Sequence, residues 1–268
     1  MSAVAQATFW WQYVNPNALP NLSLWYNAAT VTSTVNGVTY NNFNNSPSVV
    51  NGTGISAWAD ISGGGHDSNV NGGAGKQPSY ATPIQNGLGA VQYTSSSSNN
   101  LDINPIAWSQ NLSSFSIYII ARPTSLPGTQ FPLVVTDTSL GVWWNGTNWS
   151  VGQSVGNRGT VSVTNDTTSF HIYGFIFDGT QTGNANRLKF RYDRVDQTLS
   201  FTGTIGTTTG GPQYMFFGGD NRGSVGAGNA LSSTYMDGYI GEVLIFTRAL
   251  TASEITSTEN YIKTKWNI

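Results

Sequence analysis

Short apolar runs alternate along the chain with clusters of Gly, Asn, Ser and Thr that recur about every ten residues. Punctuation of that kind predicts many short strands in an antiparallel sandwich or barrel. Residues 115–121 (FSIYIIA) form an unbroken apolar run, as in a central strand covered on both faces. Residues 171–177 (HIYGFIF) form a second strand, followed by Asp178 and Gly179, a dipeptide suited to a hairpin turn. In 187–192 (RLKFRY), Leu188, Phe190 and Tyr192 alternate with charged residues, so one face is buried and the other wet. Residues 239–246 (YIGEVLIF) are again nearly all apolar, and 131–135 and 214–217 are shorter candidates.

One helix is predicted, over 252–265. Thr251 and Glu254 fit a capping box, in which the Thr251 hydroxyl accepts from the Glu254 amide and Glu254 reaches back. Ile255, Ile262 and Trp266 share a face with Thr258 and Glu259, and Lys263 and Lys265 lie where cations suit the helix dipole. Residues 1–20 differ in character from the rest of the chain. Phe9, Trp10, Trp11 and Tyr13 give both faces of an extended segment aromatic surface, and 15–20 (NPNALP) has the composition of a linker. The segment is either an edge strand of the same domain or an arm that docks on a neighbouring subunit, since so apolar an end does not lie free in water. The expected division is an arm and linker over 1–20 and one domain over 21–268.

Composition narrows the function. Only 9% of the 268 residues are charged, with a formal net charge of -2, against about 25% charged in an ordinary soluble domain. Asn, Ser, Thr and Gly replace the missing charge. There is no Lys/Arg cluster to neutralise phosphates, which argues against nucleic acid as a partner. The 12% of aromatic residues argues against disorder. No stretch approaches the roughly 20 apolar residues of a membrane span, and the first residues do not read as a secretory signal. With no Cys, the chain has no disulfide, Cys-ligated zinc or thiol nucleophile.

Two blocks have a familiar form. The first is Leu24-Trp25-Tyr26-Asn27-Ala28 followed by Ala57-Trp58-Ala59-Asp60-Ile61-Ser62-Gly63-Gly64-Gly65-His66, continued by Pro78, Tyr80, Asn86-Gly87, Ala90-Val91 and Tyr93. The second runs from Asp237 through Phe246 to Arg248-Ala249-Leu250-Thr251 and the terminal helix. Together they resemble the concanavalin A-like (laminin-G-like) jelly-roll domains of bacterial and phage proteins. The resemblance spans 24–268 and implies an all-β fold: a two-sheet antiparallel jelly-roll sandwich with one C-terminal helix, here preceded by the extended arm. It says less about activity, because the fold hosts lectins, glycosidases, lyases and passive spacers.

Catalytic stock is sparse. Glycosidases of this fold carry clustered acids on one strand, in an E-x-D-x-x-E pattern that is absent here. The three Glu residues are Glu242, Glu254 and Glu259, the last two on the terminal helix. Asp193 and Asp196 fall in a hairpin region and read as turn residues. Glu242 lies within an apolar strand and needs a partner; Arg248 and Arg122 are the candidates. His66 and His171 are the only histidines. His171 on its strand reads as a packing residue, and Gly63-Gly64-Gly65, without a Lys or a following helix, as a turn held by Asp60 and Ser62. No G-x-S-x-G elbow or Walker loop occurs. Calcium is possible by resemblance, with Asp137, Asp220 and Asp237 as candidate ligands; no other cofactor is expected.

Binding is better provided for. In 141–149 (GVWWNGTNW), Asn145-Gly146 reads as a type I′ turn that sets Trp144 and Trp149 beside Asn145, Thr147 and Asn148. Aromatic faces flanked by amides and hydroxyls suit a sugar ring. Asp220, Asn221 and Arg222 form a second polar loop of similar promise. The expectation is therefore a non-enzymatic virion-surface protein of a bacterial virus: a capsid decoration, fibre or tail-associated subunit with a lectin-like domain. Its partners would be other virion subunits or copies of itself, contacted through the arm, and host-surface glycans. A free-standing carbohydrate-binding lectin module is the alternative, and a glycan hydrolase or lyase of the same fold is another.

Overall fold

A computed structural model describes residues 16–35, 38–41, 49–70, 75–103, 107–126, 129–135, 140–145, 148–154, 156–163, 166–211, 215–219 and 235–268. The strands pair antiparallel throughout and make two sheets. The first sheet is ordered Ser79–Gln85, Leu88–Tyr93, Gly238–Phe246, Ser114–Pro123, His171–Asp178, Leu188–Tyr192 and Val195–Gln197. The second runs from Val38–Asn41 through the second half of Leu22–Val35 to Ala57–Asp60, Ser68–Asn69, Leu101–Ile103, Met215–Phe217 and Thr129–Val135. It continues through Leu140–Asn145, Asn148–Ser154 and Asn157–Ser162 to Ser200–Thr202. The long strand Leu22–Val35 belongs to both. Its first half pairs with Gly238–Phe246, and its second half with Ala57–Asp60 and Val38–Asn41.

The inner faces close one aromatic core. Tyr26 stacks on Trp58 at 5.2 Å between ring centroids and meets Phe217 edge-on at 5.4 Å. Ile117, Ile119, Tyr173, Phe175, Val243 and Ile245 come from the first sheet, and Val142, Trp144, Trp149 and Phe217 from the second. The outer face of the first sheet is covered by the helix Ala252–Trp266, which packs Tyr261, Ile262 and Trp266 on Tyr118, Ile120, Leu244 and Phe246. This explains the unbroken apolar runs at 115–121 and 239–246: both strands are buried on two sides.

Several expectations need adjustment. The helix has its capping box and runs to Trp266, but its inward face also includes Tyr261 and Lys265. Asp178-Gly179 does not close a two-residue hairpin. Phe177 pairs with Leu188, and the connection between the strands contains the short helix Asn184–Arg187. Asp178 instead accepts from the Thr180 amide and hydroxyl and from Gln181 Nε2. Asn145 pairs with Asn148 as the last register of its strand, and Gly146 and Thr147 lie outside the described residues. The linker-like stretch from Pro16 onward lies against the sandwich: Arg248 Nε donates to Pro20 O, and Leu19 packs beside the helix. The aromatic run Phe9, Trp10, Trp11 and Tyr13 lies outside the described residues.

Candidate functional site

The clearest solvent-facing site is built by the loop after Ala57–Asp60. Asp60 organises it. Its Oδ1 accepts from the backbone amides of Trp25 and Ser62, and its Oδ2 from Ser62 Oγ and the His66 amide, all within 2.9–3.1 Å. Ser62 Oγ in turn accepts from the Gly64 amide, and Asp67 Oδ1 from the Asp60 amide at 2.8 Å. The three glycines are required by this path. Gly63 and Gly65 have φ of +90° and +73°, and a Cβ on Gly64 would lie 2.5 Å from Ser23 O and 2.8 Å from the His66 ring. The Tyr26 hydroxyl donates to the His66 carbonyl and ties the loop to the core.

So held, the His66 ring stacks on Trp108 at 4.6 Å between centroids and 18° between planes. Trp108 sits on the 3-10 turn Ala107–Ser109, which is clipped to the chain beyond it: Thr209 Oγ1 donates to Ser109 O, and the Thr209 amide to Leu112 O. Below the indole is a small apolar pit lined by Leu112, Phe115, Ile117, Met215 and Ile245. Beside the two rings opens a cleft of about 270 Å³, lined by Gly64, Gly65, His66, Asp67, Ile103, Ala107 and Trp108. Burial lowers the pKa of His66, against the opposing charges of Asp60 and Asp67. The imidazole is therefore neutral at neutral pH, with one donor and one acceptor nitrogen. The indole N–H of Trp108 is buried and meets no acceptor among the described residues. An aromatic wall, a neutral imidazole, a carboxylate and exposed loop backbone make a site that can hold a small polyhydroxylated ligand.

The sequence-derived candidates fall elsewhere. Trp144 and Trp149 are 0% and 1% exposed and belong to the core. Alternation turns Val142 and Trp144 inward, and Trp149 packs on Trp144, Tyr173 and Phe190 at 4.2–6.0 Å. The expectation that this pair presents its faces to a sugar is thereby corrected: period two in a sandwich strand sends alternate residues to the core. Asn148 is exposed and accepts from Ser162 Oγ. Thr147, Asp220, Asn221 and Arg222 lie outside the described residues. Buried Gln130 Oε1 accepts from Trp144 Nε1 and from the Asp237 amide.

The carboxylates are engaged structurally. Glu242 is paired, but with neither Arg248 nor Arg122. It takes Lys265 Nζ at 2.8 Å, Tyr261 Oη at 2.9 Å, and the indole N–H of Trp25 and of Trp266, each at 2.7 Å. Lys265, expected at the exposed end of a helix, turns inward to meet it. Arg248 forms a two-pronged pair with Glu254, which with the Thr251 cap holds the Glu254 carboxyl down at about 2. Arg191 pairs with Glu259 and Asp196. Asp193, in the positive-φ turn expected of it, accepts from His171 Nδ1 and the Ile172 amide. Of the calcium candidates, Asp137 and Asp220 are outside the described residues. Asp237 Oδ1 accepts from the Ser95 amide and Oδ2 from Ser95 Oγ, so this carboxylate is engaged with the chain. Among the described residues no group of three or more acidic or histidine side chains is arranged to hold a metal ion.

No family model and no curated sequence matches the chain. Solved structures do. The class that the fold defines is the all-β, two-sheet antiparallel sandwich. The chain is similar to the binding domain of botulinum neurotoxin serotype G, with a TM-score of 0.57 at 13% identity, over 91% of this chain and 52% of that one. It is also similar to a botulinum neurotoxin type C structure described by its dependence on two ganglioside molecules for cell entry: TM-score 0.56, 11% identity, 92% and 52% coverage. Domain 4 of AbnA, a GH43 extracellular arabinanase from Geobacillus stearothermophilus, was solved with arabinotriose. It matches with a TM-score of 0.53 at 15% identity over 88% of this chain and 97% of that domain. The chain spans about half the length of the neurotoxin domains and nearly all of the arabinanase domain. At these identities the likeness is one of fold.

Proposed function

We propose that the protein is a non-catalytic, lectin-like module that binds glycans in the cleft beside His66 and Trp108. The observation that carries this reading is the stacked His66–Trp108 wall, held by a loop whose geometry Asp60 fixes before any ligand arrives. A rigid aromatic wall takes the C–H face of a sugar while Asp67, His66 and loop amides meet its hydroxyls. The likeness to domains solved with or described by saccharide ligands supports it. Against catalysis, among the described residues neither this cleft nor the polar one near Asp178 contains two carboxylates, and glycoside hydrolysis normally needs a pair. The test is binding to immobilised polysaccharides. Trp108→Ala and His66→Ala are expected to abolish retention while the sandwich stays folded; retention unchanged in both variants, or release of reducing ends by the wild type, contradicts the reading.

A finer form places this module on the surface of a bacterial virus, attached through residues 1–20. Its support is in the sequence: the Phe9–Trp10–Trp11–Tyr13 run and the polar, weakly charged composition. Removing 1–20 is then expected to abolish assembly and leave a folded monomeric sandwich. Unfolding of the truncated chain would instead make that segment a strand of the core.

A further inference from the structure

The residues around the His66–Trp108 cleft also determine which glycans it takes. We propose that the cleft selects neutral saccharides and rejects acidic ones, with Asp67 as the residue that decides. This rests on the glycan-binding reading above.

The charge inventory of the cleft is short. Of its lining residues among those described, Asp67 alone carries a formal charge; Gly64, Gly65, Ile103, Ala107 and Trp108 carry none, and His66 is kept neutral by burial. The titratable groups facing His66 are Asp60 and Asp67, both acidic. Asp60 lies behind the loop with its oxygens fully engaged by four donors. Among the described residues no Lys or Arg lines the cleft, and the sequence between Ile103 and Ala107 (NPI) brings no charge. Among the described residues the charge at the cleft is therefore negative, without a countercharge.

Asp67 is exposed and gives Oδ1 to the Asp60 amide. Its second oxygen is left to accept a sugar hydroxyl, a charge-assisted bond that a neutral saccharide can donate to. A uronate or sialate carboxylate brought to the same place meets a like charge and has no guanidinium or ammonium to replace its water. Specificity of this kind comes from a repulsive element as much as from an attractive one. The cleft volume, about 270 Å³, lies near the lower end of ligand pockets, so the discriminated unit is a short saccharide end.

The experiment is isothermal titration of the whole chain with arabinotriose and uncharged hexose oligosaccharides, and with sialylated and uronic-acid oligosaccharides of the same size, at low and high salt. Asp67→Asn is titrated in parallel; asparagine keeps the acceptor for the Asp60 amide, and circular dichroism checks the fold. The wild type is expected to bind at least one neutral saccharide and to bind its acidic counterpart about tenfold more weakly or worse. High salt and Asp67→Asn should each narrow that gap. Acidic saccharides binding as tightly as neutral ones, or a gap that Asp67→Asn leaves intact, overturns the selectivity and leaves the lectin reading standing. No binding of either class overturns both.

Discussion

Glu242 is the residue at which the sheet and the helix are joined. It is 0% exposed, and its two oxygens take four donors from the helix and the neighbouring strand. Burial lowers the pKa of Lys265, against the opposing pull of Glu242. Removing one partner of a buried pair strands the other charge. Glu242→Ala is accordingly expected to cost about 3–5 kcal/mol in urea denaturation. Adding Lys265→Met does not restore stability, because three neutral donors still lack their acceptor; full recovery in the double variant would contradict this account. His171 offers a pH test. Burial alone would lower its pKa, but the hydrogen bond and charge of Asp193, then those of Asp166, more than offset this and raise it. A raised folded-state pKa stabilises fully below the unfolded value of about 6.5 and is lost as pH rises through the folded one. The stability gap between wild type and His171→Gln should therefore be larger at pH 5 than at pH 9; equal gaps would rule out the ionic bridge.

At the scale of elements, the terminal helix is held by shape as well as by charge. Gly241 faces the Trp266 indole so closely that a Cβ there would lie 2.0 Å from the ring. Gly241→Ala must push Trp266 off the sheet. It should lower the melting temperature by several degrees and increase hydrogen exchange of the helix amides before those of the inner core. Uniform exchange across the molecule would mean the helix is not a separate layer. The elements were the most legible part of the sequence, because burial on one or two faces writes itself into periodicity. Leu188 and Phe190 are buried where alternation put them, and Thr251 and Glu254 make the box their spacing predicts. Partner choice was not legible. Lys265 lies 23 positions from Glu242 and Arg248 only six, yet the packing of the helix brings Lys265 to it.

At the scale of the whole molecule, the low charge density has a structural counterpart. Many of the carboxylates present are used internally, as caps, turn acceptors and ion pairs, so little charge is left to dress a catalytic cleft. The sandwich itself could be read from the resemblance and the strand spacing. The cleft proposed for binding could not. Trp144 and Trp149 were conspicuous in sequence because aromatics next to an Asn-Gly pair look like a surface platform, and alternation buries them. His66 and Trp108 are 42 positions apart, on a loop and a turn with no periodic signal. What was visible was the Asp60–Ser62–Gly63–Gly64–Gly65–His66 run itself, whose glycines and Asx residue mark a loop with a fixed path. The most direct test of the central claim is a two-dimensional NMR titration with a neutral oligosaccharide that the protein retains. The account predicts shifts concentrated at the Trp108 indole N–H, the His66 ring and the amides of Gly64, Gly65 and Asp67. Shifts confined to residues 145–148 or 219–235, with that cleft unperturbed, would contradict it.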